Sequence, residues 1–158
     1  NNISRIEYRP YQEVSTSQLF GKVSVQHRLR IEARYFRLVS DVSAIDSTSS
    51  FNFRFRYRLL CSIPVSKLSV DKPDRNLSFN IGDEIFINAG KEIVYNVFDN
   101  NRFILGTTFQ YNNKLSFAFS YINQFRQLPI PQQYEQSNIF TLGLTQKLSL
   151  LKSKKATQ

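Results

Sequence analysis

Between Phe51 and Leu59 the chain reads Phe-Asn-Phe-Arg-Phe-Arg-Tyr-Arg-Leu. Odd positions are apolar, and Arg occupies 54, 56 and 58. Successive side chains of a strand point to opposite faces, so this strand has one aromatic face and one face of guanidinium groups. Two kinds of fold accept such a ribbon. A soluble sheet buries the apolar face and wets the polar one. A membrane barrel turns the apolar face to lipid and encloses the polar one.

Strand length separates the two. Alternation with a period of two recurs over 5–14, 22–37, 51–63, 77–88, 102–111, 114–125 and 138–150. Strands of soluble domains average about 5–6 residues, whereas a tilted membrane strand needs about 9–11. The run over 77–88 is interrupted near Gly82-Asp83 by an expected bulge, and 91–97 has room for one helical turn. No apolar stretch approaches the roughly 18 residues of a membrane helix. The pattern predicts an all-β, antiparallel, up-and-down transmembrane β-barrel with about seven strands in this chain.

The connections alternate in length. The links over 16–21 and at Asn112-Asn113 are short, those over 38–50, 89–101 and 127–137 are long, and 64–76 is intermediate. Outer-membrane barrels have short periplasmic turns and longer outer loops. The seventh strand then descends, and the C-terminus is periplasmic. Residues 1–150 form the barrel portion, and 151–158, with Lys152, Lys154 and Lys155, form a lysine-rich periplasmic tail. Single-chain bacterial barrels have even strand numbers, so N-terminal strands are expected to be missing from this chain or supplied by another. The chain starts Asn1-Asn2-Ile3, as a processed exported protein or a fragment does.

Aromatic residues make up 14%, with 14 Phe, 8 Tyr and no Trp, so Tyr alone would form any interfacial girdle. The single cysteine, Cys61, excludes an internal disulfide and is expected to be a small hydrophobe. The net charge of +9 suggests nucleic acid at first sight. Single-strand binders, however, put aromatics and cations on one surface, and alternation puts them here on opposite faces.

A lumen charge network is expected from Arg28, Arg30, Glu32 and Arg34, from Arg54, Arg56 and Arg58, and from Glu84, Arg102 and Glu7. Guanidinium groups cannot neutralise themselves, so the carboxylates must interleave with them, and the arginine excess leaves an anion-attracting interior. The lipid-facing set is Phe51, Phe53, Phe55, Tyr57, Leu105, Phe109, Phe117 and Phe119. His27 falls on the apolar face, and Ser24 and Ser62 fall on the other, which argues against a nucleophile and base pair. Asp83, Glu84 and Asp99 match no calcium loop. No zinc spacing, phosphate loop or dinucleotide fingerprint occurs. No catalytic residue, metal or cofactor is therefore expected, and the chain reads as a non-enzyme.

The runs His27-Arg28-Leu29-Arg30-Ile31-Glu32, Phe53 to Arg58, Asp83 to Asn88, Phe98 to Arg102 and Tyr121-Ile122-Asn123-Gln124 carry a further signal. In this order and spacing they resemble an uncharacterised family of Bacteroidetes proteins, the domain of unknown function numbered 2490. The resemblance covers the later part of the family pattern, and members look like exported outer-membrane barrels. It implies location and architecture, and no chemistry.

The expected function is a bacterial outer-membrane β-barrel with an Arg-rich lumen. It acts as a small channel or as a structural or accessory subunit of an envelope complex. Its partners are outer-membrane lipid and other envelope proteins met through the long outer loops, with no nucleic acid. The alternative is a soluble lipocalin-like ligand-binding barrel, which would enclose its apolar face.

Overall fold

The computed structural model describes residues 3–40, 49–67, 74–128 and 130–148. Eight strands follow one another: β1 (Ile3–Tyr8), β2 (Tyr11–Phe20), β3 (Val23–Ser40), β4 (Ser49–Lys67), β5 (Asn76–Ala89), β6 (Phe98–Asn112), β7 (Leu115–Gln127) and β8 (Tyr134–Gln146). All pair antiparallel in one sheet, and no helix occurs among the described residues. From β3 to β8 the strands run 13 to 19 residues, well beyond the usual soluble length.

The first alternating run is two strands, not one. β1 and β2 lie end to end along the single strand β3, separated at Arg9-Pro10. Proline has no N–H to give to the ladder, but its carbonyl still accepts from Ala33 N at 2.9 Å, so the two pieces keep the course of one rail. β2 also continues to Phe20, past the expected end of that run. Gly21-Lys22 then closes the hairpin, with Gly21 at φ +62 in the left-handed region.

The expected bulge at Gly82-Asp83 is absent, because Gly82 and Asp83 pair in unbroken register with Leu60 and Leu59. Gly82 answers a different need. A Cβ there would stand 2.6 Å from the Leu59 carbonyl oxygen, and glycine in a strand interior marks such an approach of backbones. Gly82→Ala is expected to cost about 1–3 kcal/mol through forced separation of β4 and β5, measurable as a lowered unfolding midpoint at unchanged secondary structure.

The register breaks elsewhere: between Pro64 and Ser66, and in β6, where Phe86 pairs Asn100 and Ile87 pairs Phe98. Residues 90–97 are turns and bends rather than a helical turn. The β6–β7 turn is Asn113-Lys114, one residue later than expected, and Asn112 Oδ1 accepts from the amides of Lys114 and Leu115 at 2.8 Å each. The lysine-rich segment 151–158 lies outside the described residues.

The sheet curls toward the face of the charged residues. Arg28 of β3 reaches Glu84 of β5, and Arg54 of β4 reaches Asp99 of β6, each across an intervening strand. Concave curvature shortens the gap of two strand spacings that such side chains must span. The result is a half-barrel whose two rims, β1/β2 and β8, do not pair with each other among the described residues.

Its burial is inverted. Among the described residues the buried apolar side chains are Phe36 and Phe86, and the buried polar ones are Glu32, Glu84, Asn88 and Asn100. The convex face exposes Phe53, Phe55, Tyr57, Phe103, Phe117 and Phe119.

Candidate functional site

The centre of the concave face is built by the register of β2, β3, β4 and β5. Arg28 lies opposite Arg58 and Arg30 opposite Arg56, while Glu32 lies opposite Arg54. Like charges directly opposite destabilise a sheet, so β5 and β2 must bring anions. Glu84 stands beside Arg58 on β5, and Glu13 beside Arg30 on β2.

The ion pairs then form a lattice. Glu32 accepts from Arg54 at 2.5 Å and from Arg56 at 2.7 Å. Glu84 accepts from Arg28 at 2.5 Å and from Arg56 at 2.8 Å. Glu13 pairs with Arg30 at 2.5 Å, Glu7 with Arg34 at 2.6 Å and with Arg9 at 2.7 Å, and Asp99 with Arg54 at 3.1 Å. Charge-assisted bonds of this length hold both partners rigidly. Arg58 and Arg102 stand apart. They donate to the neutral side chains of Gln26 at 2.9 Å and Gln124 at 2.8 Å.

Phe86 sits in the middle of this lattice at 2% exposure. The guanidinium carbons of Arg56, Arg102 and Arg54 lie 4.4, 4.9 and 5.5 Å from its ring centroid, within cation–π range. The ring covers apolar area while its π face favours the surrounding charge.

Near the end of the sheet where β3 meets β1, a cavity of about 420 Å³ opens beside the lattice, lined by Arg34, Phe36, Asn52, Asp99, Arg126 and Gln127 among others. Arg126 is ion-paired with Glu135 across β7 and β8.

The expected charged set thus gathers on one face: Glu7, Arg28, Arg30, Glu32, Arg34, Arg54, Arg56, Arg58, Glu84 and Arg102. The expected apolar set, Phe51, Phe53, Phe55, Tyr57, Leu105, Phe109, Phe117 and Phe119, lies on the other by register. His27 is on that convex face, its Nδ1 2.7 Å from the Tyr57 hydroxyl, while Ser24 and Ser62 are opposite each other on the concave one. Asp83 and Glu84 part company: Asp83 takes a 2.8 Å bond from Asn101 on the convex face. Asp99 is on strand β6 and not in a loop, and it binds Arg54. No group of three His, Cys, Asp or Glu residues close enough for a metal occurs among the described residues.

The family model described as Protein of unknown function (DUF2490) matches residues 1–135. The chain belongs to this family. The match takes in the whole charged lattice, from Glu7 to the Arg126–Glu135 pair. No curated protein and no solved structure matches the chain.

In this DUF2490 protein, sequence reasoning missed Glu13, Asp99 and Phe86 as members of the site. Glu13 was legible, since alternation from Glu7 through Tyr11 puts it on the same face. Asp99 was not. The β6 bulge sets an extra residue against β5, and only pairing reveals it.

Proposed function

We propose that this DUF2490 protein is part of a β-barrel of the Bacteroidetes outer membrane, with its arginine-bearing face toward the lumen and its C-terminus in the periplasm. It acts as a small channel or as a structural or accessory subunit of an envelope complex. Lipid is its main partner, and envelope proteins are met through the longer loops.

One observation carries the reading: the inverted burial. Water-exposed apolar patches beyond a few hundred Å² mark membrane or protein contacts, and here most of one sheet face is apolar and exposed, with polar exceptions such as Asp83 and its partner Asn101, while Glu32 and Glu84 are buried on the other. Strand length supports the same solvent, since every strand from β3 to β8 exceeds the 9–11 residues a bilayer needs. The lipocalin-like alternative needs apolar side chains on the enclosed face, where Arg and Glu stand instead.

The test is insertion. The chain refolded with lipid vesicles is expected to become protected from protease and to float with the membrane. Phe117→Arg is expected to weaken insertion by about 2–4 kcal/mol, whereas Thr108→Arg, on the concave face, is expected to change it little. A stable, detergent-free monomer would end the proposal. Planar-bilayer recordings separate its two forms: an anion-preferring conductance identifies a channel, and silence a structural subunit.

A further inference from the structure

We propose that the concave face carries a binding site for a phosphate-type oxyanion, held between Arg58 and Arg102. The two residues share one row of the sheet: Arg58 pairs Glu84, and Glu84 pairs Arg102. The carboxylate between them is already committed, because Glu84 Oε1 accepts from both Arg28 and Arg56. The nearby carboxylates are committed too, Glu32 to Arg54 and Arg56, and Glu13 to Arg30. Among the described residues, Arg28, Arg30, Arg54, Arg56, Arg58 and Arg102 therefore face only four carboxylates, Glu13, Glu32, Glu84 and Asp99, and Arg58 and Arg102 are the two left without an ion pair.

That surplus cannot be removed by proton loss, because guanidinium stays charged in proteins. It is also set against itself, since Arg28 and Arg58 are direct cross-strand partners. Among the described residues, Arg58 and Arg102 have only neutral side-chain acceptors, and the Nε atoms of Arg58 and Arg28 are buried without a hydrogen bond, Arg28 Nε standing 3.8 Å from the Glu13 carboxylate. A multivalent oxyanion supplies what the row lacks: several acceptors, and a charge that cancels two cations at once. The planar fork of Arg matches such an ion in two-point contact. The lattice holds the neighbouring forks in place, so binding would require little rearrangement.

The chain in detergent micelles is titrated with inorganic phosphate at constant ionic strength, with chloride as reference, while thermal unfolding is followed. A saturable rise in Tm is expected with phosphate and not with chloride. Line broadening of the phosphate phosphorus resonance gives a second readout on the unaltered chain. Arg58→Gln and Arg102→Gln are each expected to weaken the affinity about tenfold or more, one charged hydrogen-bonding partner being lost. Lys114→Gln, in the exposed β6–β7 turn, is expected to leave it unchanged. A parallel titration with a short-chain phosphatidic acid separates the sources: the tighter ligand identifies free phosphate or a lipid headgroup. Absence of both the Tm rise and the broadening overturns the site, as does a phosphate response in the Arg58→Gln and Arg102→Gln chains as strong as in the unaltered chain. The site does not depend on bilayer insertion. Failed insertion with intact phosphate binding counts against the membrane reading alone, and the reverse outcome against this site alone.

Discussion

Glu32→Ala is expected to destabilise the sheet by about 3–5 kcal/mol, the range for removing one member of a buried ion-pair group. Glu32 is 1% exposed, and its two oxygens are divided between partners: Oε2 takes the Arg54 guanidinium, and Oε1 takes Arg56. Alanine leaves both guanidiniums covered on one strand, Arg54 with Asp99 alone and Arg56 with only its share of Glu84. The cost arises from that stranded charge more than from the lost bonds, and this distinction can be tested. Glu32→Gln keeps the size and acceptor oxygen but not the charge, so it is expected to fall between alanine and the unaltered chain. Replacing Glu32, Arg54 and Arg56 together by Met is expected to recover most of the loss, because an apolar cluster of similar volume does without the desolvation of the ions. Denaturant unfolding of the refolded chain in micelles measures all three. Equal stability of the alanine chain would mean that water, not Arg54 and Arg56, satisfies this carboxylate.

Phe86→Ala is expected to cost a similar amount, about 3–5 kcal/mol, as for other buried Phe truncations. Here the cavity would open among guanidiniums instead of among methyl groups. Phe86→Leu separates the two contributions of the ring. Leucine restores most of the apolar volume but has no π face, so its residual loss reports the contacts with Arg54, Arg56 and Arg102. At about 0.5–2 kcal/mol for a cation over an aromatic face, the leucine chain is expected to remain measurably weaker than the original. Full rescue by leucine would assign Phe86 a space-filling role only.

Strand facing was legible because an alternating ribbon states its two faces directly. Over 51–63 and 22–37, one parity is apolar and the other charged, and pairing only had to keep them in phase. The face of Phe86 was less plain. Ile85-Phe86-Ile87 is a continuous apolar run, and such a run does not announce which member turns inward. Only the parity of Glu84 and Asn88 marks Phe86 as concave. Ion-pair partners were partly legible. Glu7 and Glu84 were expected near the arginines, but the choice of Arg28 and Arg56 for Glu84 depends on curvature, which sequence periodicity does not encode. The bulge at Asp99 and the one-residue displacement of the Asn113-Lys114 turn are likewise properties of paired strands, set by how two ladders fit.

The rims of the half-barrel carry a geometric restriction. Each antiparallel step reverses direction, and from β1/β2 through β3, β4, β5, β6 and β7 to β8 the reversals cancel. Both rims point the same way, so zipping them directly together would create a parallel seam in an otherwise antiparallel wall. An antiparallel seal needs an odd number of inserted strands. Until such a filler is in place, the β8 rim, with Leu142 at 87% exposure, remains an open template for any extended peptide that reaches it.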